Sequence, residues 1–287
     1  MISVLKKAIP ASVKLRLYNG VEYLKGFISP VEYVPYRWST SRIRGSMYRN
    51  NLTNDLLANF HYFNLDRLAL IYGTDKFGSH FYTPHYHKHL KKYRWKRINL
   101  LEIGVGGYKN KYDGGHSLRT WKKYFPFGKI TAIDIFDKSP LQERRISIFQ
   151  GSQADEEFLN DVIDKIGTPD VIIDDGSHIN EHVITSFEIL FPLLKDDGLY
   201  IIEDTQTSYW EKFGGSMDKR DQTNMMNYFK EKIDGLNHVE FIEPGFKPGY
   251  TDTHILSITF YHNMIFIQKG NNTEPSNKVT NNEILND

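Results

Sequence analysis

The stretch 170–182, DVIIDDGSHINEH, sets an apolar run against two adjacent carboxylates, a Gly-Ser turn and two histidines four residues apart. A second apolar run, LYIIEDT, ends in the same way in Glu203 and Asp204. Acids this close raise one another's pKa unless something positive sits among them. Asp175, Glu203 and Asp204 are hard oxygen ligands, which suits Mg2+ (or Mn2+) with room left for water and substrate oxygens. His178, three residues after Asp175, is placed to take a proton from a metal-bound hydroxyl near neutral pH. The bland alternative is a set of solvated loop acids and a histidine that caps a helix. A sharper rival is zinc, because HINEH matches the inverted protease motif H-x-x-E-H, and His178 and His182 would share a face of a helix. That rival leaves the Asp-Asp-Gly start and the Glu-Asp pair unexplained, and no third zinc ligand is evident downstream.

Three other apolar runs also end in glycine or polar residues. The first is followed by Glu102, Gly104, Gly106 and Gly107, the second by Asp134, the third by Gly151, Ser152, Gln153, Ala154 and Asp155. A glycine turn lets a cofactor pass close to the main chain. It is not a dinucleotide fingerprint, since the third glycine position falls on Lys109. Asp134 suits a ribose diol, because a carboxylate accepts two hydroxyl hydrogen bonds.

The elements that must position these residues follow from hydrophobic pattern. Strands are expected at 98–105, 129–135, 146–151, 170–174 and 198–203, with helices at 117–124, 156–166 and 178–194 between them. Continuous apolar runs alternating with helices read as parallel strands covered on both faces, a doubly wound α/β sheet. In such a sheet ligands bind beyond the carboxyl ends of the strands, where every one of these residues lies. A helix is expected over 217–236. HVEFIEP and HILSITFYHNMIFIQKG then read as strands, the second turning at 261–263, so the parallel sheet ends in an antiparallel edge; a mostly parallel, seven-stranded sheet is expected.

The chain divides into a basic amphipathic arm (1–50), a helical lid that caps the cofactor (51–97), a main domain (98–270) and a disordered tail (271–287). Within the arm, residues 1–30 hold Lys6, Lys7, Lys14, Arg16 and Lys25 against Glu22 alone. That pattern allows peripheral contact with an anionic membrane, but packing on its own domain or on a second subunit is favoured, because Pro10 and Gly20 interrupt the apolar face. The formal net charge of +1 over 287 residues gives no reason for a nucleic-acid partner. With 40% hydrophobic residues the chain can fill a large core, and with no cysteine it has no disulfide, thiolate or Cys-zinc chemistry. Its apolar runs are too short to span a bilayer and its start has no signal-peptide pattern, which predicts a cytoplasmic protein, membrane-associated if the arm binds lipid.

Taken together, YGTDKFGSHFYTPHYHKHL, LLEIGVGGY, GGHSLRTWKKYFPFGKITAIDIFDKS, RISIFQGSQADEEFL, the long run from DVIIDDGSH to EDTQTSYW, and SITFYHNMIFIQKG resemble the class I S-adenosylmethionine-dependent methyltransferases. Within them the chain resembles the metal-dependent sugar O-methyltransferases of macrolide tailoring, over about residues 65–270. The resemblance implies a Rossmann-like fold and a metal on Asp175, Glu203 and Asp204, with His178 as general base. It implies cofactor contacts at Glu102, Gly104, Gly106, Ser117, Asp134, Gln153 and Asp174; Ser117 comes from the resemblance alone. Asp75 and Lys76, in the lid, are expected to hold the amino-acid end of S-adenosylmethionine. The implied reaction is in-line methyl transfer to a sugar hydroxyl; a homo-oligomer is expected, and Tyr209 and Trp210, just after the metal pair, are placed to stack on the sugar, the alternative being ordinary loop packing. The rivals are a catechol or polyketide hydroxyl, a cephalosporin-hydroxylase-like relative, and a non-catalytic glycan-binding scaffold that keeps the fold.

Overall fold

The computed structural model describes residues 51–221, 223–276, 279–280 and 283–284. The basic arm and its membrane contact fall on residues outside these. Among the described residues, three helices, α1 (Asn51–His61), α2 (Leu65–Tyr72) and α3 (Thr83–Leu90), precede the sheet. The strands of the main sheet are β1 (Asn99–Ile103), β2 (Lys129–Asp134), β3 (Ile146–Gln150), β4 (Val171–Asp174), β5 (Leu199–Glu203), β6 (Ile255–Tyr261) and β7 (Met264–Lys269). Their spatial order is β3-β2-β1-β4-β5-β7-β6, with the first five parallel and the last two antiparallel. The strand order reverses between β1 and β4, which opens the crevice where such sheets bind ligands.

Period-two alternation assigns each strand residue to one of two cores. Leu100, Val171, Ile173, Leu199 and Ile201 pack with α2, α3 and α4 (His116–Tyr124) through Leu68, Tyr86 and Trp121. Leu101, Ile172, Tyr200 and Ile202 pack with α5 (Glu156–Ile166) and α6 (Asn180–Leu193) through Leu159, Val183 and Phe187. The same parity sends Glu102 and Glu203 to the first face and Asp174 to the second. Local signals set the ends: Asn64 caps α2 by accepting from Arg67 N, Gly73 closes it at φ 73°, and Asp155 caps α5 by accepting from Phe158 N. The β6–β7 hairpin turns where expected, with Asn263 at φ 61°.

The structure departs from the sequence expectations in three places. HVEFIEP is no strand: it holds a short 3-10 turn (His238–Glu240) and then loop. Its apolar residues have no core to face, Ile242 being 92% exposed. The helix expected from 217 is α7 (Met225–Gly235), which starts where the Asn224 side chain accepts from the N–H groups of Met226 and Asn227. In the 271–287 segment, expected to be disordered throughout, Val279 pairs with Ile284 and Thr280 with Glu283. Among the described residues, no helix is long and apolar enough to cross a membrane.

Candidate active site

At the end of β1 the chain turns through Gly104, at φ 96°. A Cβ there would lie 2.1 Å from the Asp175 carbonyl oxygen, so only glycine lets the β1 and β4 ends close up. Gly106, at φ 79°, faces open space: an added Cβ would meet nothing within 4 Å. The loop beyond is tied down by Lys138, whose buried ammonium donates to Asn110 O at 2.9 Å and Asp113 O at 3.0 Å. Asp134 accepts from Val105 N at 3.0 Å and Phe136 N at 2.8 Å, one per oxygen. Each oxygen keeps a lone pair, and the side chain is partly exposed at the end of β2.

The two acid pairs divide by parity. Asp174 is buried and accepts from Gln153 Nε2 and, at 2.7 Å, from Ser186 Oγ. Gln153 Oε1 in turn accepts from Ser177 N at 2.7 Å. Both side chains expected to contact cofactor are therefore committed to each other. Burial pushes the Asp174 carboxyl up to about 6, against the pull of Ser186, His178 and Gln153. Glu203 is likewise buried, and its Oε1 accepts from Lys76 Nζ at 2.6 Å and from Tyr86 Oη. Burial, with Asp175 adding to it, raises Glu203 well above the usual carboxylate range.

Asp175 and Asp204 are the outward partners. Asp175 Oδ2 accepts from Lys76 Nζ at 2.6 Å, and Asp204 Oδ1 accepts from Tyr82 Oη at 2.6 Å. That leaves Asp175 Oδ1 at 3.9 Å and Asp204 Oδ2 at 3.7 Å from His178 Nε2. Asp175, His178 and Asp204 thus present one ligand atom each within 4.8 Å of one another. His178 and Asp204 both sit in the left-handed region, at φ 56° and 55°. Non-glycine residues there store about 1–3 kcal/mol each, held only where the surroundings over-determine them. Burial would raise Asp204, but the Tyr82 hydroxyl, His178 and His80 bring it below its usual value.

These positions bear on three expectations. Glu203 Oε1 is held by Lys76 and Tyr86, behind the converging atoms of Asp175, His178 and Asp204. Lys76 is buried at 1% exposure among Asp175, Glu203 and, at 3.7 Å, Glu102, and is not free to hold a cofactor's amino-acid end. Burial alone would lower its pKa; Asp175, Glu203, Glu102 and Asp75 outweigh that and hold it charged. The zinc arrangement does not form, because His178 precedes α6, which starts at Asn180, and His182 Nδ1 faces Ser177 Oγ at 3.1 Å. Asp75 is exposed beside Thr74.

Glu102 is completely buried, and neither oxygen has a hydrogen-bond partner of normal geometry. Burial pushes it up to about 7, partly offset by Lys76, while Ser117 and Trp121 on α4 are the donors turned toward it. Such orphaned oxygens beneath an open glycine turn fit a ligand arriving from the crevice. The loop after Asp204 is pinned by Asn180, which donates to Thr207 O and Phe213 O and accepts from Met225 N. On it Trp210 is 50% exposed and Tyr209 38%. Sequence reasoning missed Tyr82 and Tyr86, whose hydroxyls serve acids about 120 residues away. The one available signal was the demand of clustered acids for donors.

No protein-family model matches the chain. It is 47% identical over 214 residues to mycinamicin VI 2''-O-methyltransferase of Micromonospora griseorubida, covering 74% of this chain and 54% of that one. It is 46% identical to demethylmacrocin O-methyltransferase of Streptomyces fradiae, again over 74% and 54%. To the 8-demethyl-8-alpha-L-rhamnosyl tetracenomycin-C 2'-O-methyltransferase of Streptomyces olivaceus it is 43% identical, over 72% and 54%. The chain therefore spans about half the length of the curated relatives it matches. Among solved structures it is similar to MycE methyltransferase of the mycinamycin pathway in complex with Mg and SAH: TM-score 0.72, 46% identity, 74% of this chain and 56% of that one. Across the matched three quarters, the chain is a homologue of these sugar O-methyltransferases and has the α/β methyltransferase fold.

Proposed function

We propose that the chain is a Mg2+-dependent S-adenosylmethionine O-methyltransferase acting on a sugar hydroxyl of a glycan or glycosylated metabolite. The observation that carries this reading is the convergence of Asp175 Oδ1, Asp204 Oδ2 and His178 Nε2 beside the Gly104 turn. The donor set fits a divalent ion, since the other oxygen of each aspartate is already satisfied by Lys76 or Tyr82. The relatives' names speak of sugar O-methylation, and a MycE complex contains Mg, SAH and mycinamycin VI.

When bound, S-adenosylmethionine supplies an electrophilic methyl group and Mg2+ makes the acceptor hydroxyl more acidic. Asp175 and Asp204 would hold the metal, with Glu203 the third carboxylate, behind Lys76. The open backbone at Gly106 and the half-used carboxylate of Asp134 would seat the amino-acid and ribose parts of the cofactor, above Glu102 and Ser117. His178 Nε2 takes the hydroxyl proton, leaving an imidazolium that faces Asp175 and Asp204. Rate comes mainly from alignment of oxygen and methyl on a rigid sheet edge. The exposed Tyr209 and Trp210 would cover the sugar ring, each presenting an apolar face with a polar edge.

Calorimetric titration of S-adenosylmethionine, with Mg2+ and with chelator, tests this on wild type and Asp175→Ala. Cofactor binding to both, with metal binding lost only in the variant, is the expected outcome. No cofactor binding to wild type would end the methyltransferase reading.

A further inference from the structure

Among the described residues, Lys76 is the ammonium placed among the strand-end carboxylates. It lies 2.6 Å from both Asp175 Oδ2 and Glu203 Oε1 and 3.7 Å from Glu102 Oε1, and Asp204 stands across His178. It arrives from a segment 99 residues before Asp175 and 127 before Glu203. The same segment delivers Tyr82 to Asp204 and Tyr86 to Glu203. Every acid at the β4 and β5 ends that could serve a metal is therefore already touched by a donor from residues 76–86. Asp175 is the shared group: one oxygen faces Lys76 and the other faces His178. Glu203, by contrast, is held behind, its Oε1 on Lys76 and Tyr86.

We propose that Lys76 is a resident cation that competes with the divalent metal for Asp175 and Glu203, keeping the acid cluster assembled beforehand and giving way at Glu203 when metal enters. The inference rests on the metal-dependent reading above. Its physical basis is simple. A buried acid cluster needs a counter-charge at all times, or it must protonate or come apart. A built-in ammonium meets that need without a metal. The same ammonium repels a dication a few ångströms away and withholds two oxygens from it, so it holds metal affinity down into an exchangeable range. Lys76 is thus a positioning residue, acting through Asp175 and Glu203.

The test is calorimetric titration of Mn2+ into the full chain as wild type, Lys76→Met and Lys76→Arg, with S-adenosylmethionine titrated separately. Lys76→Met should bind Mn2+ about tenfold or more tightly, as expected when a neighbouring like charge is removed. Lys76→Arg should stay within a few-fold of wild type, and cofactor affinity should match in all three. Unchanged or weaker Mn2+ binding in Lys76→Met overturns the inference. Should Lys76→Met fail to fold, the wild type decides by NMR of its side-chain ammonium groups. The Lys76 signal, identified by its loss in Lys76→Arg, should move on adding Mg2+ with the calorimetric midpoint; a signal that stays put overturns the inference. A wild type that binds no Mn2+ overturns the metal-dependent reading as well. A wild type that binds it with Lys76 unresponsive overturns this inference alone.

Discussion

The ends of β4 and β5 are near duplicates in sequence, Asp174-Asp175 and Glu203-Asp204, yet in each pair the two acids live in different worlds. The inner acid is the last residue of its strand, buried and hydrogen-bonded. The outer acid begins the loop and keeps one oxygen facing His178. The two inner acids also differ, because one residue of parity puts them on opposite faces of the sheet. Asp174 meets neutral donors from Gln153 and Ser186, whereas Glu203 meets a cation and a phenol. Burial raises both inner acids, while Asp204 is brought below its usual value by the donors around it. Adjacency in sequence thus says little about role. Where a side chain points, and what already holds it, says most.

The largest effects should come from breaking the outer layer. His178→Ala should lower kcat by about 10²–10⁴, the usual contribution of a positioned base, with cofactor affinity unchanged by calorimetry. An enzyme that keeps full kcat would move the base elsewhere. Asp175→Asn should weaken Mg2+ binding by about 100-fold or more, beyond what removal of an outer-sphere partner costs. Its stability to urea should stay close to that of wild type.

Asp174→Asn is the mirror experiment, and it sharpens the contrast. The new amide would set one NH2 against the Gln153 NH2 that now donates to Asp174. A donor left facing a donor in a buried site costs about 1–3 kcal/mol. Urea unfolding should show that loss, while Mg2+ affinity measured on the folded protein changes little. The reverse pattern, a stable protein that has lost its metal, would mean the two layers were assigned the wrong way round.

Much of this was legible in advance. The five parallel strands showed as β-rich apolar runs, and the acids showed because each run ended in charge. HVEFIEP misled because its alternation copies a strand while its apolar residues find no core, as exposed Phe241 and Ile242 show. At the site, the crowding of acids correctly demanded a positive charge. Sequence reasoning gave that whole demand to a metal and left Lys76 for the cofactor. Nothing local in YGTDK reveals that its lysine will sit between Asp175 and Glu203, because that contact spans about a hundred residues and exists only once α3 has docked on the first face of the sheet. For the same reason the hydrogen bond between Gln153 and Asp174 is hidden in the sequence: the two adjacent acids look alike until strand parity separates them.

The smallest expected effect isolates the inner acids by pH. His89 lies outside both layers, stacked on Phe266 at 4.4 Å and 3.0 Å from Tyr261 Oη. Burial, helped by Lys88, His85 and Lys92, lowers its pKa to about 4. Between that value and the unfolded 6.5 the unfolded chain carries a proton on this residue that the folded chain refuses, so His89 makes stability fall as pH falls. Asp174 works in the opposite sense. Its folded pKa of about 6 exceeds the unfolded 3.8, so between these values the folded chain binds the extra proton and stability rises as pH falls. The two slopes overlap and partly cancel in the wild type. His89→Gln removes one of them. Urea unfolding of that variant across pH 4–6.5 should then show stability rising toward low pH relative to wild type, and Asp174→Asn in the same background should flatten it. A His89→Gln protein whose pH profile parallels the wild type would mean that His89 is protonated in the folded chain, and the inner acids would have to be weighed by another route.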